Sequence, residues 1–301
     1  MPNEQNLKGH KNLKGHSRRD TLDEPLGNDK PIENTEPIEN TEPIENTNDF
    51  IFETLDRPIQ VVFEDDHYVG VFKPAGLMVH RGPKTLATEP VLLQTLRDQL
   101  NRFLYPIHRL DRPTAGLIFF AYTSEAASRM GELFTQRRIE KTYQALVRGF
   151  MPDEVTVDRP LGDHEDGKAK AYGESKERSA EIQDAVTHFR CLRRYEVPWP
   201  MGEFPCSRFS LLEVQPHTGR WHQIRRHLNH LAHPVIGDHR HGDHRWNQMF
   251  YQRTGEYRML LTSMRVDFRH PFTHEPISLL VSRGESFDRA IAAVRTANVA
   301  Q

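Results

Sequence analysis

An abrupt change of composition near Phe50 divides the chain into two parts that cannot fold in the same way. Residues 1–48 contain two copies of NLKGH and three copies of PIENT, and they hold no Phe, Trp or Tyr. Such a segment buries too little apolar surface to offset the entropy lost on ordering. We therefore expect a disordered, polar, repeat-containing tail over 1–48 and one folded domain over 49–301.

The folded part must be stabilised by packing. A chain of 301 residues with 37% hydrophobic residues can supply a sizeable core. Cys191 and Cys206 lie outside any CxxC or Cys/His ligand spacing, which excludes a disulfide framework and a structural zinc finger. A mean hydropathy of -0.70, no apolar run of roughly eighteen residues and no secretory signal argue against a membrane span. We expect a soluble, cytoplasmic protein that needs no membrane.

Hydrophobic periodicity predicts more strands than helices. Helices are expected over 91–100, 123–137 and 221–231, the last with Trp221 and Ile224 on its apolar face. Strands are expected over 59–63, 68–72, 116–122, 141–148, 187–197, 207–214, 258–268 and 277–281. The charged, apolar-poor stretch 162–185 is expected to form a long loop. Because few of these elements form βαβ units, the pattern favours an α+β fold with a mixed, mostly antiparallel sheet and flanking helices.

The net charge of -2 averages two unlike segments. Residues 1–50 carry 6 Lys and Arg against 11 Asp and Glu, which leaves 34 against 31 in the rest of the chain. The body therefore has a net charge of +3, and it also holds 15 of the 17 histidines. A mildly basic body permits RNA binding without requiring it.

The most informative motif is residues 108–117 (HRLDRPTAGL), a charged turn that leads directly into an apolar strand. Asp111 stands at the mouth of that strand, where side chains meet ligands. Arg109 and Arg112 favour its ionised form, which a carboxylate nucleophile or base requires. Taken alone, an aspartate between two arginines is more often a surface ion pair.

The motif resembles the catalytic signature of the RluA-type pseudouridine synthases, HRLDxxTSGLLLFA, with Ala115 where serine is usual. Three further blocks of that family occur in this chain, and the four blocks have the same order along the chain as in the family. The three further blocks are residues 73–80 (KPAGLMVH), 141–149 (KTYQALVRG) and 218–227 (TGRWHQIRRH). The resemblance spans roughly 55–285, and residues 184–190, 196–198 and 236–243 are most similar to the tRNA-modifying C branch.

This resemblance implies a pseudouridine synthase fold with a central RNA-binding cleft and no amino-terminal S4 domain. It implies that the chain is an RNA pseudouridine synthase, an isomerase that acts on a specific uridine of tRNA. The enzyme is expected to need no cofactor or metal. It is also expected to be a monomer without an obligate protein partner. Uridine 65, between the acceptor and T stems, is the expected target. A synthase acting on rRNA or on both RNAs, and an RNA-binding or RNA-folding module with secondary catalysis, are the alternatives.

Roles for individual residues also follow from the resemblance. Asp111 is the expected nucleophile, Tyr143 is expected to stack on the target base and to take the C5 proton, and Arg225 is expected to pair with the catalytic carboxylate. Arg109 is expected to help displace the target nucleotide from its stack. Five further residues are expected to contact RNA phosphates: Lys73, His80, Arg220, His222 and Arg226.

Eight histidines between His217 and His244 suggest a metal site at first sight. The spacing of His227, His230 and His233 spreads around a helix, and no HExxH motif is present. We expect no physiological metal, and a metal-dependent hydrolase is the least favoured alternative.

Overall fold

The structure of the chain is a computed structural model that describes residues 57–82, 86, 88–162 and 182–299. The tail predicted over 1–48 and most of the loop predicted over 162–185 lie outside the described residues. All the described residues belong to one compact unit of the chain.

The described residues form twelve strands and five helices. The strands are β1 (Val61–Glu64), β2 (Tyr68–Lys73), β3 (Tyr105–Pro106), β4 (Ala115–Ala121), β5 (Glu140–Arg148), β6 (Glu154–Asp158), β7 (Leu161–Gly162), β8 (Ile182–Gln183), β9 (Val186–Val197), β10 (Ser207–Pro216), β11 (Leu261–Arg269) and β12 (Pro276–Leu280). The helices are α1 (Leu92–Leu100), α2 (Ser124–Thr135), α3 (Gln223–His230), α4 (His244–Thr254) and α5 (Glu285–Ala297).

Ten strands form one mixed sheet whose path runs β1-β2-β4-β11-β5-β10-β9-β6. Strand β12 pairs with β11 and strand β3 pairs with β4, while β7 and β8 form a separate two-stranded sheet. Every pairing in the large sheet is antiparallel except that of β4 with β11. The predicted α+β class and the mixed, mostly antiparallel sheet are therefore confirmed.

The parallel contact between β4 and β11 depends on a glycine. Gly116 adopts φ 112°, and a Cβ built on it would lie 2.1 Å from the carbonyl oxygen of Ser263. Only glycine allows the two backbones to approach so closely at this backbone angle. Since β4 begins four residues after Asp111, this contact fixes the strand that carries the charged turn.

Both faces of the sheet are covered. On β5, Tyr143, Ala145 and Val147 lie in a core cluster that also receives apolar side chains of α1 and α3. Leu146 points to the opposite face, where it packs in a cluster with α4 and α5. A third cluster packs α2 against β4 and β11. The face shared by α1 and α3 is the one that carries the functional side chains.

Helix α3 begins later than the sequence pattern predicts. Trp221 and His222 precede the helix, which begins at Gln223, and His222 adopts a left-handed conformation with φ 51°. The Gln223 side chain accepts hydrogen bonds from Thr218 Oγ1 (2.7 Å) and Arg220 N (3.0 Å), so it holds the turn and the helix together. The prediction of a helix starting at Trp221 is therefore wrong, and its apolar face is shorter than expected.

Two helices are absent from the sequence prediction. In α5, Phe287, Ala290, Ile291 and Val294 are buried and follow the 0, +3, +4, +7 spacing of an amphipathic helix. Helix α4 is mostly polar, and its start is marked by the Asp243 side chain, which accepts hydrogen bonds from Arg245 N and Trp246 N. Within the described ranges, no helix combines the length and the apolar character needed to cross a membrane.

Candidate active site

A cleft of about 910 Å³ opens where the turn before β4, the strand β5 and the start of α3 meet. Its walls come from residues 107–111, from the segment between α2 and β5, and from residues 216–225. The three residues expected to perform the chemistry, Asp111, Tyr143 and Arg225, all line it. Three of the four sequence blocks, 108–117, 141–149 and 218–227, therefore converge in space.

Asp111 and Arg225 form an ion pair in this cleft. Arg225 Nη1 donates to Asp111 Oδ2 at 3.0 Å. The Arg225 side chain is 4% exposed, whereas that of Asp111 is 21% exposed. The carboxylate thus remains open to the cleft while its cationic partner is enclosed. Such an arrangement holds the carboxylate in a fixed orientation toward a ligand in the cleft.

A second carboxylate, Asp238, holds Arg225 in place. Arg225 Nε donates to Asp238 Oδ2 at 2.7 Å, and Arg225 Nη2 donates to Asp238 Oδ1 at 2.8 Å. The Asp238 side chain is 1% exposed, and its Oδ1 also accepts from the backbone N–H groups of Arg240 and His241. Burial opposes ionisation of Asp238, but the hydrogen bonds and charge of Arg225 outweigh it and hold its pKa below the ordinary value.

The bidentate pair explains how a buried guanidinium can serve the site. A single buried charge is costly unless it is paired and hydrogen-bonded. Arg225 meets this condition by using its Nε and Nη2 for Asp238 and its Nη1 for Asp111. Its orientation is therefore set before any substrate arrives.

Tyr143 lies on β5 with its side chain 9% exposed. Burial raises the pKa of its phenol to about 12, with the charge of Asp111 acting in the same direction and a hydrogen bond with Ser263 acting against it. The phenol is therefore protonated at neutral pH. This state suits stacking or hydrogen-bond donation better than removal of a proton.

A pair of histidines lies beside the carboxylate. His222 Nε2 is 3.8 Å from Asp111 Oδ2, and His222 Nδ1 is 2.8 Å from His241 Nε2. The ring of His222 also stacks on Trp221, with centroids 3.8 Å apart. Burial lowers the pKa of His222 to about 2, and the charge of Arg225 adds to this shift. His222 is thus a neutral ring held in a fixed position.

The structure contradicts the expectation that Lys73 contacts phosphate. Lys73 is fully buried, and its Nζ donates to the carbonyl oxygens of Pro74 (2.9 Å), Leu77 (2.7 Å) and Arg112 (3.0 Å). Burial lowers its pKa well below the ordinary value, with the charge of Arg258 adding to the effect. The ammonium group instead ties the turn after β2 to the turn that carries Asp111.

The other residues expected to bind RNA separate into two groups. Arg109, Arg220 and His222 line the cleft, and Arg220 Nε donates to the carbonyl oxygen of Asp184 at 3.0 Å. His80 is exposed but lies outside the cleft lining. Arg226 also lies outside it, and its Nη1 donates to the carbonyl oxygen of Gly162 at 2.8 Å. The first group is thus available to a ligand in the cleft.

The sequence motifs assign no function to Asp238, His241 or His108. Asp238 lies in the block 236–243. A buried arginine needs an acid that is buried with it, and this need is the signal that could have pointed to Asp238. His108 Nε2 accepts the backbone N–H of Phe119 at 3.1 Å, so this histidine fixes the catalytic turn against β4. Neither contact can be inferred from spacing along the chain.

The histidine-rich segment contributes to packing and hydrogen bonding. His227 Nδ1 is 2.9 Å from Thr187 Oγ1, and His233 Nδ1 is 2.7 Å from the carbonyl oxygen of Arg148. In the part of the chain that the structure describes, no three His, Cys, Asp or Glu side chains are grouped so that they could hold a metal ion.

The family model of RNA pseudouridylate synthase matches residues 67–230, more than half of the chain. The chain belongs to the RNA pseudouridylate synthase family. The RluA-type resemblance drawn from the four sequence blocks is thereby confirmed, and so is the assignment of the chain as an RNA pseudouridine synthase. All the residues that line the cleft except Leu261 fall within the matched residues.

Curated relatives of this pseudouridylate synthase extend the match. The tRNA pseudouridine synthase C of Vibrio parahaemolyticus is 39% identical over 231 residues, which cover 77% of this chain and 93% of the relative. The Vibrio cholerae protein of the same name is 40% identical over 219 residues, 73% of this chain and 88% of the relative. The protein of that name from Salmonella typhimurium is 39% identical and covers 77% of this chain and 88% of the relative.

Solved structures agree on the fold. Human RNA pseudouridylate synthase domain containing 4 superposes with a TM-score of 0.57 at 25% identity, covering 78% of this chain and 93% of that chain. Human RNA pseudouridylate synthase domain containing 1 gives a TM-score of 0.58 at 21% identity, covering 79% and 94%. The pseudouridine synthase fold predicted from the motifs is therefore confirmed.

Proposed function

We propose that this pseudouridine synthase isomerises a uridine of tRNA, with Asp111 as its nucleophile. The tRNA substrate is supported by the curated relatives, which are named tRNA pseudouridine synthase C. Uridine 65 as the target is the finer part of the proposal and rests on the resemblance to the C branch. A cytoplasmic location, a monomeric state and independence of cofactors stay predictions from sequence.

The proposed reaction is an isomerisation in which no atom is lost. The bond between N1 of uracil and C1′ of ribose breaks, the base turns, and a new bond joins C5 to C1′. A proton leaves C5 and N1 gains one, so the product has the composition of the substrate. The step needs a nucleophile that stays attached or close while the base turns, which a fixed carboxylate can supply.

The observation that carries the proposal is the 3.0 Å contact between Asp111 and the buried Arg225 at the cleft. Arg225 and His222 both approach Oδ2 of Asp111, which leaves Oδ1 for the substrate. In this account Oδ1 forms the bond, either with the pyrimidine ring or with the sugar carbon. Arg225 stabilises the carboxylate both before attack and when it is released.

Tyr143 and Arg109 act on the nucleotide that leaves its stack. Tyr143 presents a protonated phenol ring on the same strand face that lines the cleft, and we assign it to stacking on the target base. Arg109 is exposed at the cleft wall, where its guanidinium can fill the position that the base has left. Extruding a base costs on the order of a few kcal/mol, so such a replacement favours the reactive state.

Mapping pseudouridine in RNA from cells with and without this gene tests the substrate. We expect a single tRNA signal to disappear when the gene is removed and to return on incubation of that RNA with the purified chain. Loss of a signal in rRNA alone would overturn the tRNA substrate, and the persistence of every signal would overturn the proposed function.

A further inference from the structure

The cleft contains a cation for which the proposed mechanism has no use. Lys141 lies on β5 two residues before Tyr143, and both side chains line the cleft. Because side chains alternate along a strand, these two point to the same face. The strand rise places their Cα atoms about 7 Å apart.

Lys141 is half-buried, yet within the described residues no acid accompanies it. Its Nζ makes no hydrogen bond or ion pair with a described residue, and it lies 5.8 Å from the centroid of the Phe134 ring. Burial lowers its pKa, and no neighbouring carboxylate acts in the opposite direction. The nearby His108 supplies no counter-charge, because an imidazole is either neutral or positively charged. Burial, with the charge of Lys141, lowers the pKa of His108 to about 3, so the ring is neutral.

Several other basic side chains of the described residues have partners, and the fully buried Lys73 donates to three carbonyl oxygens. Arg225 meets two carboxylates, and exposed arginines such as Arg190 and Arg208 pair with Glu213 and Glu196. A half-buried ammonium group with neither an anion nor a hydrogen-bond acceptor is unfavourable, because it loses hydration and gains nothing in return. Its position in a ligand cleft indicates that the ligand brings the anion.

The charge of the surrounding wall supports the same conclusion. Lys141 shares the cleft lining with the exposed Arg109 and Arg137 and with Arg220, while the described lining holds a single acid, Asp111. Asp111 is already engaged by Arg225. The wall around Lys141 is thus positively charged and suits a polyanion.

We propose that Lys141 binds a phosphate of the substrate RNA next to the uridine that enters the cleft. The inference rests on the proposed function, since it assumes an RNA in this cleft, and it adds a phosphate contact on the strand that carries Tyr143. In this arrangement one strand holds the target nucleotide twice, by its base at Tyr143 and by its backbone at Lys141.

Salt dependence of RNA binding tests the contact directly. Each phosphate contact releases counterions, so removal of one lowers the slope of log K against log salt by about one. For Lys141→Met in the full chain, we expect Kd for the substrate tRNA to rise about tenfold near 0.1 M salt with that smaller slope. KM should rise in parallel, and kcat should stay within about threefold.

Matched variants separate charge from packing. Lys141→Arg keeps the charge and should restore both the slope and the affinity to within about threefold. Arg295→Met removes a cation from the exposed face of α5, outside the cleft lining, and should leave the slope unchanged. Should Lys141→Met unfold in a thermal melt, Lys141→Gln provides the uncharged variant with a polar end.

An unchanged salt slope in the uncharged variant would overturn the inference, and so would a loss of kcat at unchanged Kd. Failure of the proposed function looks different. If the wild-type chain converts rRNA and not tRNA, the same slope measurement is made on the RNA that is converted, and its result still decides whether Lys141 binds a phosphate.

Discussion

At the residue scale, the site is a chain of charges of decreasing exposure. The Asp111 side chain is 21% exposed, Arg225 4% and Asp238 1%. Each inner residue orients the one outside it, so the reactive carboxylate is preorganised before the substrate binds. Preorganisation of this kind lowers the cost of reaching the reactive geometry.

Asp238→Asn should damage stability and turnover together. The substitution removes the charge that compensates Arg225 in a buried position, which costs about 3 kcal/mol or more of unfolding free energy. It also frees the guanidinium, so kcat should fall at saturating RNA while KM changes little. Urea denaturation and single-turnover assays measure the two effects.

The exposed pair of Arg265 and Asp267 supplies the control for that experiment. Asp267→Asn should change the unfolding free energy by less than about 1 kcal/mol and leave kcat unchanged. A normal kcat in stable Asp238→Asn protein would show that Arg225 needs no second carboxylate.

The enclosed ring of His108 makes stability depend on pH. Its pKa is about 3 in the folded chain, against about 6.5 in an unfolded chain. The unfolded state therefore takes up the proton first, so this stabilisation is complete above pH 6.5 and is lost as the pH falls from 6.5 toward 3. When the pH falls from 7 to 5, the unfolding free energy of the wild type should therefore fall by about 1 to 2 kcal/mol more than that of His108→Gln.

Urea titrations at the two pH values measure that difference. The His222 ring, whose pKa is about 2, titrates in the same direction and is present in both proteins, so it cancels in the comparison. Equal losses in the two proteins would show that His108 does not titrate in this way.

At the element scale, a close backbone approach in the sheet lies near the nucleophile. Gly116 contacts Ser263 across the parallel pair of β4 and β11, and Asp111 lies in the turn that precedes β4. The Lys73 ammonium group and the backbone N–H of Gly76 both donate to the carbonyl oxygen of Arg112. Strand pairing and turn anchoring thus act on the same short segment.

Gly116→Ala should destabilise the protein by at least about 2 kcal/mol, because alanine at φ 112° is strained and its Cβ meets backbone atoms. Conversion should fall as the Asp111 turn moves. Gly131→Ala in α2 is the matched change: a Cβ there meets nothing within 4 Å, and alanine should stabilise the helix by up to about 1 kcal/mol. Chemical denaturation of both variants checks the expectation, and equal effects would refute it.

Prediction from sequence succeeded for elements with strong periodicity or a capping residue. The helix expected over 123–137 is α2, where the Thr123 side chain caps the first turn by accepting from Ala126 N, and the strand expected over 141–148 is β5. It failed at α3, because the left-handed His222 and the Gln223 side chain set the start of the helix through contacts distant in sequence. The predicted phosphate contact of Lys73 was wrong for a similar reason. Its block resembles a functional motif, but only the packing in the structure shows that the amine points inward.

At the scale of the whole molecule, three of the four sequence blocks, 108–117, 141–149 and 218–227, meet around one cleft. The motifs identified its residues, whereas Asp238, His241 and Lys141 acquire roles only through the fold. The charge distribution follows the same division, since a net charge of +3 lies beyond residue 50 and the cleft wall gathers Arg109, Arg137, Lys141 and Arg220. The cleft wall therefore carries a local positive charge that can bind a polyanion, although the net charge of the whole chain is -2.

Conversion of uridine by Asp111→Asn under single-turnover conditions tests the account most directly. Asparagine keeps the shape of the side chain but cannot act as an anionic nucleophile, so no pseudouridine should form. RNA affinity should stay within roughly tenfold, about 1.4 kcal/mol, and the Asp267→Asn control should convert at the wild-type rate. Normal turnover by Asp111→Asn would contradict the assignment of the nucleophile and with it the proposed mechanism.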